Sequence, residues 1–405
     1  MENVKLDIEK IISNSCGLAR NSGRVVFVPD TLPGETVVAE IEETKSGYSN
    51  GKLLEIIKPS EHRIAPVCNL YGICGGCTLQ HSDYEYQLEI RKSLIKEALL
   101  RNGRTVCNEI KTVPGTPYGY RCRAQLHQMD ESRQPGFKKR NSSEITGVGF
   151  CPVCNSGINK YLESRPRLPG KRVTLFAPEE TCYHASERAP SFGRENTGGR
   201  KGKHSESESA DNYSISVSVN GKMIQTGVNC FFQSNLEMLR KTIPLILDHT
   251  SGRSFFDLYC GVGVFGAFLA ERGEMLVSVE SDKNSVKYAR GNIGNAAADN
   301  KLLKTEFYAM TAESFIHSFN RGGGKAVPDT VVADPPRSGI SMSVKKFIVK
   351  NRIKKLIYLS CDYGTLGRDI GFFTSSSYRL ENLYFLDFYP QTAHAESLAV
   401  LEYMG

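Results

Sequence analysis

The stretch Asp257-Leu-Tyr-Cys-Gly-Val-Gly-Val-Phe-Gly266 decides how the C-terminal half of the chain is read. It closes a run of apolar residues and opens onto Phe265–Arg272, whose apolar spacing is helical, so its glycines sit at a strand-to-helix turn. At such a turn Gly261 and Gly263 let the backbone come close to a ligand at the helix N-terminus. Nineteen residues beyond Gly261, a second strand-like run ends in Glu280. A carboxylate there can accept hydrogen bonds from both hydroxyls of a ribose. A glycine turn followed at this distance by an acid points to a cofactor that contains adenosine. The spacing does not separate NAD from S-adenosylmethionine, but the incomplete Gly-x-Gly-x-x-Gly leans away from a dinucleotide.

Around this turn, from about residue 226 onward, strand-like and helix-like runs alternate. Ser254–Cys260, Glu274–Glu280, Thr330–Asp334 and Lys355–Ser360 are strand-like; Phe265–Arg272, Lys283–Asn292 and Ser341–Lys350 are helical. This is the pattern of an open, mostly parallel α/β sheet. Such sheets bind ligands at the carboxyl ends of their strands, and three further motifs fall there. Asp334-Pro-Pro-Arg337 ends a strand, with two prolines to stiffen the loop and aim the carboxylate. Cys361 follows the next strand and is a candidate nucleophile if its thiolate can form. Tyr389-Pro-Gln-Thr-Ala-His394-Ala-Glu396 offers two titratable groups, either able to act as a general base. Two of them have plainer alternatives: a rigid turn for Asp334, a buried structural thiol for Cys361.

The first 60 residues differ. Val4–Ile12, Arg24–Val28, Thr36–Glu43 and Gly51–Ile57 are short, Val- and Ile-rich runs separated by turn signals such as Asn21-Ser-Gly23 and Pro33-Gly34. They suggest a small β-barrel of the oligonucleotide-binding (OB) kind. A cysteine-bearing stretch follows at 67–79, then a helix predicted over Asp83–Leu100. Cys68-x5-Cys74-Gly-Gly-Cys77 can wrap a metal centre around its Gly-Gly turn, with Cys151 or Cys154 of Cys151-Pro-Val-Cys154 as a fourth thiolate; both zinc and iron–sulfur clusters take four. Residues 105–225 are β- and turn-rich. Within them, 186–211 is almost purely Ser, Gly, Glu, Lys and Arg and reads as a mobile surface loop.

Composition excludes several classes. Forty per cent hydrophobic residues in 405 supports two or three packed domains. The longest apolar run, Phe255–Ala270, is broken by Asp257 and is shorter than the roughly 20 residues of a membrane span. The charged N-terminus lacks an apolar signal core, so a cytoplasmic location is expected. Twelve cysteines in that setting argue for metal binding or catalysis over disulfides. A net charge of +7 is compatible with a phosphate-rich partner.

Together these residues resemble the RNA uracil-5-methyltransferase family, the class that includes the bacterial 23S rRNA 5-methyluridine enzymes, and the likeness covers nearly the whole chain. The resemblance implies a barrel similar to a TRAM domain at 1–60, a central β-rich Fe–S domain at 61–225 and a Rossmann-like methyltransferase domain at 226–405. It implies a 4Fe–4S cluster on Cys68, Cys74, Cys77 and Cys151, the last chosen because the family's fourth ligand precedes a proline. Phe232-Gln233-Ser-Asn235 is similar to the family's F-Q-x-N, whose Gln contacts S-adenosylmethionine. Tyr259, Gly261 and Gly263 match its D-L-Y-C-G turn, Glu280 its ribose acid, and Asp334 its D-P-P-R. Cys361 falls on its nucleophile and Glu396 on its general base. The chain departs in having Asp362-Tyr363 after the cysteine, where the family usually has Asn-Pro, and Val264 in place of a common Asn.

The implied reaction transfers a methyl group from S-adenosylmethionine to C5 of a uridine through a covalent Cys–C6 adduct. The target uridine is expected to be flipped out or in a loop. RNA is the expected partner, rRNA ahead of tRNA; a membrane or obligate protein partner is not expected, and a monomer is assumed. Two other readings compete. An enzyme that methylates exocyclic amines would use an acid-Pro-Pro-aromatic tetrad, but Arg337 replaces the aromatic residue. A non-catalytic RNA-binding protein would be expected to lack Cys361 or Glu396.

Overall fold

The structure, a computed structural model, describes residues 2–129, 133–186, 214–321 and 326–405. The N-terminal strands are β1 (Asn3–Asp7), β2 (Lys10–Ile11), β3 (Cys16–Asn21), β4 (Arg24–Pro29), β5 (Thr36–Thr44) and β6 (Tyr48–Lys58), in one sheet of order β1-β5-β6-β4-β3-β2. Alternating residues Val4, Leu6, Ala19, Val26, Val28, Val37 and Ala39 form its buried face. The expected Val4–Ile12 strand is broken in two, because Ile8 and Glu9 turn their N–H groups to the carbonyls of Glu35 and Leu18. Strand β3, with Gly17 and Ala19, carries little intrinsic β preference and was not expected. Its hairpin with β4 turns through Ser22 (φ 50°) and Gly23 (φ 82°), the positive-φ pair of a type I′ turn.

Helix α1 (Tyr84–Gly103) starts where Asp83 accepts from the Tyr86 N–H and buries the expected Leu88, Ile90, Leu94, Ile95, Ala98 and Leu99. After β7 (Lys111–Val113) comes an antiparallel sheet of β8 (Arg123–Gln128), β9 (Pro135–Lys138), β10 (Ile145–Gly147), β11 (Arg172–Phe176) and β12 (Tyr183–Ser186). Helix α2 (Ser156–Glu163) packs Ile158 and Leu162 onto it. The loop expected at 186–211 lies outside the described residues except for Ser186.

The remaining elements are β13 (Ser214–Val219), β14 (Lys222–Gly227), α3 (Leu236–Asp248), β15 (Ser254–Leu258), α4 (Val264–Leu269), β16 (Met275–Glu280), α5 (Lys283–Ala296), β17 (Lys304–Ala309), α6 (Ala312–Arg321), β18 (Thr330–Ala333), α7 (Met342–Lys350), β19 (Lys355–Ser360), α8 (Tyr363–Thr374), β20 (Tyr378–Leu386) and β21 (Glu396–Tyr403). Eight strands form a sheet of order β17-β16-β15-β18-β19-β21-β20-β7. The first five run parallel, and β21 is antiparallel to both of its neighbours. Side chains alternate between two cores: Phe255, Leu276, Val332 and Ile357 face one side, and Phe256, Val277, Val331 and Leu356 the other. The central strands β15, β16, β18 and β19 are buried on both faces, as a helix-covered parallel sheet requires.

The expected division at 225/226 falls inside β14. Strand β7 pairs with β20, and α1 packs against α8 in the same core, so parts of the expected middle domain complete the sheet. Among the described residues no helix is long and apolar enough to cross a membrane.

Candidate active site

The strand order reverses between β15 and β18, so a crevice opens above their carboxyl ends. A cleft of about 1030 Å³ lies there, and its lining includes Gln233, Tyr259, Gly261, Glu280, Asp334, Cys361 and Glu396. All but one of the residues expected to bind the cofactor or act in catalysis thus line one cavity; Gly263 supports it from just behind.

The glycine turn is built from beneath. Tyr259 leaves β15 at φ 62°, a conformation that costs a non-glycine residue energy, and Gly261 and Gly263 follow at φ 55° and 79°. A Cβ on Gly263 would lie 2.9 Å from Ala289 Cα, so this glycine lets α4 and α5 close up. Under the turn, burial pushes the Asp257 carboxyl up to about 8, although the Gly266 N–H pulls it down. Glu280, at the end of β16, accepts from Gly261 N–H at 3.0 Å and Asp282 N–H at 2.8 Å, tying the turn to the acid expected at the ribose.

Gln233 is aimed by its neighbours. Phe232 is buried against Phe176, and Asn235 caps α3 by accepting from Met238 N–H while donating to Phe388 O. Gln233 then points into the cleft, donating through Nε2 to Asp334 Oδ2 at 3.3 Å and leaving its buried Oε1 without a partner. Val264, in place of the family's Asn, also lines the cleft.

Cys361 and Glu396 meet through strand pairing. Ser360 of β19 faces Ser397 of the antiparallel β21, which sets the next residue, Cys361, across from Glu396. Burial, with Glu396 and Asp334 near, pushes the Cys361 thiol up to about 11, while Arg337 pulls it down. Burial and the neighbouring Asp334 raise Glu396 well above the ordinary carboxylate range; it is 3% exposed, and its Oε1 has no hydrogen-bond partner. Asp334 is raised to about 6 by burial against the opposing hydrogen bond from Gln233. This acid-rich cleft, with orphaned acceptors on Gln233 and Glu396, fits a ligand that brings positive charge and hydrogen-bond donors. S-Adenosylmethionine has both. His394, the other titratable group of its motif, is exposed.

The loop before Glu396 is held carbonyl by carbonyl. Tyr389 O accepts from Arg91, Pro390 O from Tyr120 Oη, and Gln391 O from the N–H groups of Thr78 and Leu79. Gln391, at φ 69°, exchanges further hydrogen bonds with Gln87. The fully buried Arg91 is paired in turn with the fully buried Asp387.

A second cavity, of about 700 Å³, is lined by Cys68, Cys74, Cys77, Cys151 and Cys154 together with apolar Leu70, Phe137 and Val148. Burial raises the thiols of Cys74 and Cys77, Cys68 and Cys151 are near enough to push Cys74 further up, and Cys74 and Cys151 do the same to Cys77. Cys154 is the more deeply buried of the last pair and packs with Leu126 and Ile158, whereas Cys151 is half-buried. Four soft donors around one apolar pocket fit a cluster or zinc. Among the described residues no three His, Cys, Asp or Glu side chains already stand in a metal-holding arrangement. Gly75, Gly76 and Arg121 line this cavity and the cleft alike. Arg121 belongs to no motif and was not expected; the only hint is the pair Arg121 and Arg123 at the start of a strand.

A family model described as tRNA (Uracil-5-)-methyltransferase matches residues 198–404, and one described as TRAM domain matches residues 2–54. An uncharacterized RNA methyltransferase of Treponema denticola is 29% identical, over 96% of this chain and 96% of its own. The 23S rRNA (uracil(1939)-C(5))-methyltransferase RlmD of Vibrio campbellii is 28% identical, over 98% of this chain and 95% of its own. Among solved structures, the Pyrococcus abyssi tRNA (uracil-54, C5)-methyltransferase in complex with S-adenosyl-L-homocysteine superposes with a TM-score of 0.72 at 22% identity, over 98% of this chain and 100% of that one.

Proposed function

The chain belongs to the tRNA (uracil-5-)-methyltransferase family, and on that premise we propose that Cys361 is the nucleophile and Glu396 the proton acceptor in methylation of C5 of a uridine in 23S rRNA. Membership makes it an S-adenosylmethionine-dependent RNA uracil-5-methyltransferase. The observation that carries the residue roles is the β19–β21 register, which sets a thiol and a carboxylate side by side over a cleft that also holds the glycine turn and Glu280.

Uracil C5 is a poor nucleophile until the ring is activated. The Cys361 thiolate adds to C6, and the electron pair of the C5=C6 bond moves into an enolate that makes C5 nucleophilic. Bound S-adenosylmethionine supplies an electrophilic methyl group. Once C5 carries that methyl, the Glu396 carboxylate takes the C5 proton. The C–H pair re-forms C5=C6, the C6–Sγ bond breaks, and the thiolate leaves with its electrons. A carboxylate whose proton affinity is raised by burial suits this role. Gln233, Tyr259, Gly261, Gly263 and Glu280 hold the cofactor, and Asp334 contacts the target base or the cofactor.

The cysteine cavity is proposed to hold a 4Fe–4S cluster on Cys68, Cys74, Cys77 and Cys151. A cluster held by these thiolates would supply structural bracing rather than chemistry, because the Gly75–Gly76 turn between Cys74 and Cys77 also lines the cleft. Anaerobically purified protein should contain equal amounts of iron and acid-labile sulfide. Cys77→Ser should lose both; zinc in their place would overturn the assignment.

Support for rRNA comes from relatives that span nearly the whole chain and are named for 23S rRNA. The tRNA reading is supported by the superposition with a tRNA enzyme over 98% of the chain, so barrel and cysteine segment do not by themselves separate the two RNAs. Labelled S-adenosylmethionine offered with unmodified rRNA and tRNA in separate tubes decides. 5-Methyluridine in the rRNA is the expected product, the same nucleoside in tRNA alone overturns the substrate, and a methylated amine overturns the reaction.

A further inference from the structure

The two residues after the nucleophile, where this chain departs from the family's Asn-Pro, are not neutral replacements. Asp362 does what an asparagine would do there: its backbone is extended, and its side chain caps α8 by accepting from Thr365 N–H at 2.8 Å. Tyr363 takes the first helical position, where a proline would contribute only a preset φ. It brings a ring and a hydroxyl instead. The ring packs against a buried cluster of Ile11 of β2, Leu32 of the β4–β5 loop, Leu79, Ile90, Leu94 and Ala393. The hydroxyl donates to Ala393 O in the loop that delivers Glu396.

Ala393 is thereby gripped from two sides, since its N–H donates to Thr78 Oγ1 at 3.1 Å. Thr78 directly follows Cys77 and also accepts from Ser15, in the β2–β3 turn, at 2.8 Å. Cys361 stands two residues before Tyr363, and Glu396 three residues after Ala393. On one side the two reacting groups are bridged by the β19–β21 ladder, and on the other by the Tyr363–Ala393 hydrogen bond. They lie inside a closed ring of backbone and hydrogen bonds.

We propose that Tyr363 is a positioning residue for proton abstraction, fixing the Glu396 carboxylate against the adduct on Cys361 by holding the Ala393 carbonyl. The inference rests on the roles given to Cys361 and Glu396 above. Addition of the thiolate needs Cys361 alone, which its strand and the Asp362 cap keep in place. Elimination needs the carboxylate set against a C5 already tethered to Cys361, so the separation of these two residues governs that step. Misplacement of a reacting group by a fraction of an ångström to 1 Å slows a step by about ten- to a hundredfold.

Tyr363→Phe removes the hydroxyl and keeps the ring. It is compared with the parent, Glu396→Gln and Cys361→Ala, using the RNA that accepts methyl groups in the assay above. The measurements are kcat, KM for RNA and cofactor, melting temperature, and covalent enzyme–RNA adduct on denaturing gels. Tyr363→Phe is expected to lower kcat about tenfold, leave both KM values within about twofold, and accumulate adduct formed at the parental rate, as Glu396→Gln does. Thr78→Val, which loosens Ala393 from the other side, should behave alike. Parental turnover without adduct would overturn the proposal. So would slow turnover without adduct, which would place the defect before methyl transfer, and so would slow turnover that merely follows a lowered melting temperature. Absence of adduct in Glu396→Gln would overturn the role of Glu396 itself, which is a distinct failure and removes the ground for this inference.

Discussion

Cys361 is held as a thiol in the free protein, because burial and the neighbouring carboxylates push it up to about 11. A thiol is an acid, so raising its value means that the reactive thiolate fraction is small at neutral pH and grows about tenfold per pH unit until that value is approached. With cofactor saturating and RNA well below KM, single-turnover adduct formation should therefore rise with a slope near one in log rate between pH 7 and pH 9. A rate already level at pH 7 would mean that the bound ligands, with Arg337, have lowered the thiol. At this scale the sequence was informative wherever a motif carried the residue. Gln233, Glu280, Asp334, Cys361 and Glu396 were named in advance and share one cleft. Arg121 was not, because its place between the cleft and the cysteine cavity arises only when β8 is brought beside the Cys74–Cys77 turn. That Cys361 and Glu396 face each other was likewise hidden until β21 proved antiparallel to β19.

Among the elements, the strands and helices with strong apolar periodicity were legible, and Lys355–Ser360 has the bounds that its run of apolar residues predicts. Helix α8 was missed although it begins just beyond Cys361. Its Gly364, Gly367 and Gly371 are poor helix formers, and the reason for two of them lies elsewhere in the chain. A Cβ on Gly367 would come 2.3 Å from Ala98 O of α1, and one on Gly371 2.5 Å from Gly103 O. Gly367→Ala should push α8 off α1, lower stability by about 1–3 kcal/mol, and reduce kcat through the displaced Cys361; thermal unfolding and the methyl-transfer rate check both. Gly261→Ala separates cofactor from fold. Nothing lies within 4 Å of the added methyl, so only its φ of 55° should cost stability, about 1 kcal/mol. Its affinity for S-adenosylmethionine should fall by a larger factor, because the methyl enters the cleft, and calorimetric titration measures that loss.

For the molecule as a whole, composition and spacing separated an N-terminal β-module from a C-terminal α/β sheet, but not how they are joined. Ion pairs fasten the module: Lys10 of β2 meets Glu97 of α1 at 2.6 Å, Arg63 grips the fully buried Glu35 at 2.5 and 2.8 Å, and Arg140, from beside the cysteine cavity, holds Asp30. Pairings between residues 28 and 110 positions apart leave no local signal in a sequence. Glu35→Ala strands a guanidinium that is still partly solvated, and should cost roughly 1–3 kcal/mol, less than a fully buried pair would. If the module is braced rather than tethered, the loss appears in the main unfolding transition and not as separate early melting of the first 58 residues. On the proposed mechanism the methyl group goes to C5 of uridine by way of Cys361. Substrate RNA carrying tritium at C5 of its uridines tests this most directly, since the C5 hydrogen must leave as the methyl arrives. One tritium released to water for each methyl group transferred, and neither event with Cys361→Ala, is the predicted result. Methyl transfer without tritium release, or with Cys361→Ala as active as the parent, would contradict it.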